Sequence, residues 1–432
     1  MFKTIIDAFK IKDVRRKILI TLLLLLIYRV GCWLPIPGIN AEVFKGTADQ
    51  DGSFLGLLST LSGGALSNAS ILALGVSPYI NASIVIQLLQ VAIPKLDDIA
   101  KSGEDGRKKI NFYTRLAALV LAIAQAIGIT ASLGGSGLID TNFWQAEWAA
   151  FGSLFIIVIL VAGAMFTVWL GERITQHGIG NGLSMLIFVG ILSSIGTAIL
   201  GAFTSIFNDG IQYLWNLIIF IVAVILIFGF IVFIDNSERK VPVQYAKQIK
   251  GRKTYGGQSN CIPVRLNGSG VMPIIFASAI ISFPQMICSI FWPDSVEGIN
   301  AVIGAQTPLN IILTALFIFF FSYFYAHMSF NAEDISKRIQ QGGGYISGVR
   351  PGKETKIFLS KVSNRITFFG ACFLAFIALV PAVVFNYVGG NLTGLSGAFG
   401  ATSLMIVVSV GLEFQKQLES QMITRNYKGF LN

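Results

Sequence analysis

Apolar residues in this chain gather into long uninterrupted runs separated by polar segments, instead of recurring at every third or second position. Crossing the hydrocarbon core of a bilayer takes roughly 20 mainly apolar residues. A helix satisfies every backbone polar group internally, which lipid requires. Ten stretches qualify, at about 18–34, 71–93, 112–133, 149–170, 179–203, 214–235, 270–291, 308–328, 366–388 and 398–413. The pattern predicts an all-α polytopic membrane protein with ten transmembrane helices. Composition agrees: 54% of the 432 residues are hydrophobic, 12% are charged, and the mean hydropathy is +0.70. This excludes a disulfide scaffold, a disordered regulator and most cytosolic enzymes. The four cysteines, Cys32, Cys261, Cys288 and Cys372, have no redox or metal spacing and read as packing residues. The basic start followed by an apolar run from Ile18 is like a signal peptide. No small-residue cleavage site follows, so it reads as a retained first span.

Charge fixes orientation, because Lys and Arg accumulate on the cytoplasmic side. The alternation of spans puts all 32 Lys and Arg residues on one side except Lys45, in an opposite loop, and Arg29, inside span 1. The opposite loops hold acids instead: Glu42, Asp49, Asp51, Asp140, Glu147, Asp209, Asp294 and Glu297. Both termini are therefore predicted to be cytoplasmic. A missed or invented span would scramble this asymmetry.

One internal match stands out. Residues 75–86, GVSPYINASIVI, align with residues 270–281, GVMPIIFASAII, at seven of twelve positions. Gly, Pro and Ser match in register, which hydrophobicity alone does not require. Span 2 runs toward the cytoplasm and span 7 away from it, so spans 1–5 and 6–10 read as inverted repeats. Pro78 and Pro273 are predicted to remove a ladder hydrogen bond and kink each helix near its start. Between spans 1 and 2, Phe54 to Ser67 is too apolar for a free loop and too short to cross. It is either a half-helix dipping into the interior or an amphipathic helix on the outer surface.

The spans carry almost none of the ionisable residues that mark a transport path for ions or protons. Arg29 lies close enough to the end of span 1 to snorkel, and Glu413 closes span 10. His177 and His327 have no ligand motif around them. The run His177 to Gly182 lacks the Lys-Ser/Thr of a phosphate loop and reads as a turn opening span 5. Neither a nucleophile–base set nor a metal or cofactor site is visible, so no catalytic residue is assigned and an enzyme is disfavoured. The basic tips, Lys250 to Tyr255 and Gly342 to Lys353, suit two uses: topology and anionic-lipid contact, or docking of a large polyanion or acidic protein.

The chain resembles the SecY family, the central subunit of the bacterial protein-conducting channel, from end to end. The likeness rests on Leu34-Pro-Ile-Pro-Gly-Ile39, Ser62-Gly-Gly-Ala-Leu-Ser67, Ala73 to Ser83, Trp169-Leu-Gly-Glu172, Gly178-Ile-Gly-Asn-Gly182, Tyr245-Ala-Lys247 and Gly348-Val-Arg-Pro-Gly352. The resemblance implies two inverted five-helix halves around a central pore, closed by a ring of Val76, Ile80, Leu183, Ile187, Ile275 and Ile406. Such a ring blocks ions by dewetting while binding no passing side chain strongly. It implies a plug over about 54–67, with Phe54, Leu57, Leu58, Leu61, Gly63 and Gly64. Spans 2 and 7 would form a lateral gate, with Gln87, Gln125 and Ser278 as weak polar contacts or as simple interhelical glue.

Partner docking falls to Arg252, Lys253, Arg350 and Lys353 by the same resemblance. The implied partners are the SecE and SecG small subunits, the SecA motor, the ribosome, signal peptides, unfolded preproteins and anionic lipids. The organisation expected is a cytoplasmic tail at 1–17, a first half at 18–203, an external hinge at 204–213, a second half at 214–413 and a cytoplasmic tail at 414–432. Within the second half, cytoplasmic loops cover about 236–269 and 329–365. The implied activity is passive conduction of unfolded preproteins across the bacterial plasma membrane, with sideways release of membrane segments. The inverted repeats by themselves also suit a secondary transporter of a small apolar solute.

Overall fold

A computed structural model describes residues 7–40, 59, 62–134, 149–209, 211–245, 248–250, 253–255, 259–268, 270–291, 298, 302, 304, 307–388 and 399–429. Twelve helices are described: α1 Lys12–Gly31, α2 Ser77–Ala92, α3 Pro94–Lys101, α4 Glu104–Gly134, α5 Ala149–His177, α6 Gly182–Asp209, α7 Ile211–Asp235, α8 Met272–Phe291, α9 Pro308–Ser329, α10 Ala332–Gln341, α11 Lys353–Val388 and α12 Ala401–Gly429. Each of the ten predicted spans falls on one of them. Among the described residues, six helices are individually long and apolar enough to cross a bilayer, or seven if the bent pair α2 and α3 is one span. Side chains such as Leu22, Leu23, Leu26, Ile225, Leu226 and Phe233 are exposed along these helices. In water that would be a large unfavourable surface; facing lipid it is not. The chain is a multi-pass membrane protein.

Span 2 differs from its prediction at its start and agrees with it at its end. Its helix starts at Ser77, not near residue 71, because Ala69 (φ 48°) and Gly75 (φ 54°) hold the preceding backbone in left-handed turns. It stops at Ala92, where the chain bends by 105° into α3. The kink expected from Pro78 is absent for a related reason. Pro78 and Pro273 are each the second residue of their helix. A proline there gives up an N–H that has no intrahelical acceptor anyway, and its fixed φ favours the first turn. Both prolines therefore start helices instead of bending them.

The chain divides into two compact units. In the first, α1 packs on α5 and α6, α2 on α4, α4 on α5, α5 on α6, and α6 on α12. Its core joins Leu66, Ala69, Ala73 and Leu74 to Ala122, Ala126 and Ile129 of α4 and Ile156, Leu160 and Ala164 of α5. Small residues permit the close approaches: a Cβ at Gly163 would lie 1.9 Å from the carbonyl oxygen of Ile71. The two ends of the chain also meet here. Ala8, Val14 and Ile18 bury against Leu418 of α12 and Ile179, and Lys17 Nζ donates to Gln421 Oε1 at 3.4 Å. The ends of α1 and α12 so lie on one side of this unit, as an even number of crossings requires.

The second unit holds what the sequence suggested were loops. Strand β1 (Glu238–Tyr245) pairs antiparallel with β4 (Ser259–Arg265) and with β5 (Gly344–Ile346), while β2 (Gln248–Lys250) and β3 (Lys253–Tyr255) form a hairpin. The two segments around 236–269 and 329–365 are thus one folded module on the helical frame. Val241, Val243, Val264 and Ile346 of the sheet bury with Ile339 of α10 and Leu359, Val362 and Ile366 of α11. Not all cysteines pack inside as expected. Cys32 is buried, but Cys261 and Cys372 are exposed, since a thiol on a lipid-facing helix or a strand edge needs no core.

Candidate functional site

The repeated segments have the same local structure. Gly75 and Gly270 are both left-handed, at φ 54° and 64°, and each helix begins two residues later. Ile80 N donates to Val76 O at 3.1 Å, and Ile275 N to Val271 O at 3.3 Å. Ile80 and Ile275 are therefore equivalent residues one turn into α2 and α8. Phe276, next to Ile275, is buried with its ring 5.6 Å from Phe321 and 4.8 Å from Tyr325 of α9. Ser278 Oγ donates to the Ile275 carbonyl at 2.9 Å, along its own helix.

Five of the six predicted ring residues lie in the first unit. Val76 caps α2, Ile80 follows it, Leu183 and Ile187 occupy the first two turns of α6, and Ile406 lies on α12, which packs against α6. Val76, Ile187 and Ile406 are buried, while Ile80 and Leu183 are half-buried. Ile275 belongs to the second unit. The turn before α6 matches its reading: Gly180 is left-handed, Asn181 Oδ1 accepts from Leu183 N and Ser184 N, and Thr175 Oγ1 accepts from Gly182 N at 2.8 Å. These bonds satisfy the first donors of α6 and set the position of Leu183.

Of the predicted plug residues, Phe54, Leu57, Leu58 and Leu61 lie outside the described residues. Gly63 and Gly64 are described, and the chain here is mostly interior: Ser62, Ala65, Leu66 and Ala69 are buried, while Asn68 is exposed. For this part the surface-helix alternative is excluded. Gly64 N donates to Ser59 O at 2.8 Å, and the Ser59 and Ser67 hydroxyls are 2.8 Å apart. Beyond it, Ile36 N bonds Ala69 O and Ile71 N bonds Leu34 O, clipping the chain to the end of α1.

Arg29 overturns an expectation. It does not snorkel: Nη1 donates to Gly63 O at 3.0 Å, and Nη2 bonds the Ser193 hydroxyl of α6. A carbonyl and a hydroxyl of the protein take two of its five donors, and the side chain is half-buried. A lone cation in an apolar run was the signal that could have found it.

At the candidate gate, Gln125 of α4 is buried, and Gln87 of α2 donates to Ser83 Oγ at 3.1 Å on its own helix. Nearby, Arg115 of α4 and Glu172 of α5 form an ion pair at 2.6 Å, and Arg173 lies 5.4 Å from the Trp169 ring centroid. Among the described residues no group of His, Cys, Asp and Glu could hold a metal ion.

The basic tip is a built surface. Gln340, Gly343, Gly344, Tyr345, Gly348, Val349, Arg350 and Pro351 line an open cleft of about 600 Å³. Ser336 Oγ donates to Gly352 O at 2.7 Å, and Thr355 Oγ1 to Arg350 O at 2.9 Å. Glu333 pairs with Lys337 at 2.9 Å and Lys356 at 2.5 Å. The Lys356 and Lys337 ammonium groups hold its carboxyl down at about 2, and the Glu333 carboxylate in turn pushes Lys337 up. Arg350 is exposed and Lys353 opens α11. Lys253 starts β3 of the hairpin, and Arg252 lies outside the described residues. The sequence reading missed Glu333 and Ser336, which hold the tip in shape.

Residues 70–415 match the family model described as SecY. The "Protein translocase subunit SecY" of Bacillus licheniformis is 40% identical, with all of both chains covered. A solved structure described as "The structure of a protein conducting channel" superposes with a TM-score of 0.68 at 18% identity, over 95% of this chain and 93% of that one. "Sec61 in the Canine ribosome-channel complex from the endoplasmic reticulum" gives 0.65 at 16% identity, with the same coverage. At such identities the structural likeness speaks to the fold alone.

Proposed function

Since the chain belongs to the SecY family and serves as a protein translocation channel, we propose that it is a passive pore whose ion barrier is the ring Val76, Ile80, Leu183, Ile187, Ile275 and Ile406. The observation that carries this reading is the repeated helix start, which makes Ile80 and Ile275 equivalent residues on two helices of opposite predicted direction. Apolar side chains gathered at a constriction exclude ions by dewetting and hold no passing side chain.

The segment 54–67 acts as the plug, and α2 with α8 as the lateral gate through which signal peptides and membrane segments reach lipid. Gln87, Gln125 and Ser278 supply weak polar contacts there, about 0.6 kcal/mol each. A weak closure suits a gate opened by an apolar helix. The segment 204–213 is the hinge between the halves 18–203 and 214–413.

Arg252, Lys253, Arg350 and Lys353 receive the SecA motor or the ribosome, and the similar Sec61 chain is described in a ribosome complex. SecE and SecG brace the pore in the bacterial plasma membrane, with both termini cytoplasmic. Nothing in this scheme calls for catalysis by the chain itself.

The test is crosslinking of a stalled preprotein to cysteines placed singly at the six ring positions of the reconstituted complex. Adducts at the ring and none at lipid-facing Leu226 support the pore. A chain that binds a small solute at midplane and moves it without any cytosolic partner would be the transporter instead.

A further inference from the structure

We infer that Arg29 is the latch that weights this channel toward its closed state, an inference that rests on the plug reading of residues 54–67. Arg29 is a cation within an otherwise apolar span, two residues from the end of α1. So near the end, a long side chain could reach the interface at little cost. Instead the guanidinium spends two donors on segments far apart in the sequence, the Gly63 carbonyl and the Ser193 hydroxyl.

The backbone at this point is built for the contact. Gly63 is left-handed, and a Cβ there would lie 2.6 Å from Gly190 O and 2.7 Å from Arg29 Nη1. Only glycine lets the root approach both α1 and α6 so closely. Gly64 is also left-handed, at φ 80°. From Ala65 onward the chain is locked into the core. The Arg29 bond thus sits at the boundary between a fixed anchor and the segment that leads to the plug. It also reaches α6, the helix that carries Leu183 and Ile187. Any displacement of the plug that moves Gly63 away from α6 must break this bond, whereas the core beyond Ala65 need not change.

A charged hydrogen bond of ordinary net strength shifts a two-state equilibrium about ten- to a hundredfold. Being half-buried, it is screened by salt less than a fully exposed pair. Arg29 is a positioning residue in this account: it touches the plug root, not the translocating chain.

The test measures resting ion conductance of the purified channel complex in planar bilayers without substrate. Arg29→Met and Arg29→Gln should raise the open fraction about ten- to a hundredfold. Arg29→Lys, which keeps the charge but loses the planar fork that spans both acceptors, should fall between, and Ser193→Ala should give a smaller rise. In a chain lacking residues 54–61, which leaks by itself if the plug reading holds, Arg29→Met should add nothing.

If that deletion leaks but Arg29→Met conducts like the parent, the latch is overturned and the plug reading stands. Leak from Arg29→Met that adds fully to the deletion also overturns it, since Arg29 would then be shaping the pore itself. A deletion that stays tight removes both readings. Should Arg29→Met fail to assemble, Arg29→Lys and Ser193→Ala carry the same comparison, and wild-type tightness in both sinks the latch.

Discussion

Gly171 of α5 and Gly182 of α6 meet so closely that a Cβ on Gly182 would lie 1.9 Å from the Gly171 carbonyl oxygen. This contact sets how far α6 stands from α5, and hence where Leu183 and Ile187 point. A methyl group has no room unless the helices separate. Gly182→Ala should cost about 1–3 kcal/mol, the usual range for overpacking. Gly196→Ala, on the same helix with no atom near the new methyl, should stay within about 0.5 kcal/mol. Thermal unfolding of the detergent-purified complex separates the two. Equal melting points would mean that the close approach is not what holds these helices.

The ring reading makes a specific demand on the two equivalent isoleucines. Ile80→Asn and Ile275→Asn should each raise resting ion conductance at least about tenfold, because an amide stabilises water in a gap that an apolar side chain keeps dry. Leucine at either position should leave conductance near the parent value. Single-channel recording decides, and unchanged leak in both Asn variants would remove these residues from the barrier.

Glu333 gives the docking module a defined acid sensitivity. Its carboxyl is held near 2, below its ordinary 4.5, by Lys356 and Lys337. A carboxylate depressed in the folded state contributes stability that is complete above its unfolded pKa and disappears as pH falls through the folded one. The loss should fall between about pH 4.5 and 2. Amide protection in α10, corrected for the intrinsic pH dependence of exchange, should fall toward the acid end of that interval in the parent and fall less in Glu333→Gln. Both pairs are exposed, so added salt should shrink the difference.

Arg350→Glu should weaken binding of the cytosolic partner about tenfold at low salt, and less as salt rises. The module should still fold, because it is the backbone carbonyl of Arg350, not its side chain, that Thr355 holds. Cosedimentation with ribosomes and a SecA binding assay at two salt concentrations check this. Unaltered affinity in both would move the docking surface elsewhere.

Much of this was legible along the chain. Each predicted apolar run falls on a described helix, because the lipid-crossing constraint acts on each segment separately. The 75–86 and 270–281 repeat announced two matching segments, but its prolines, expected to kink the helices, start them instead. The β-module was legible in retrospect: Val241, Val243 and Tyr245 alternate with Lys240, Pro242 and Gln244, a period-two pattern hidden by the density of charge around it. Its partner β5 is three residues long and nearly a hundred positions away, too short to leave a pattern.

The sequence by itself determined where the long apolar segments lie and which Gly and Pro residues the two repeated segments share, since hydropathy and residue identity are local properties. Only the tertiary structure decided that Arg29 turns inward to Gly63 and Ser193, that Gly171 meets Gly182, and that two distant basic segments share one sheet. Those facts depend on which atoms arrive next to each other once helices pack, and a hydrogen-bond donor does not reveal its acceptor until both have a place.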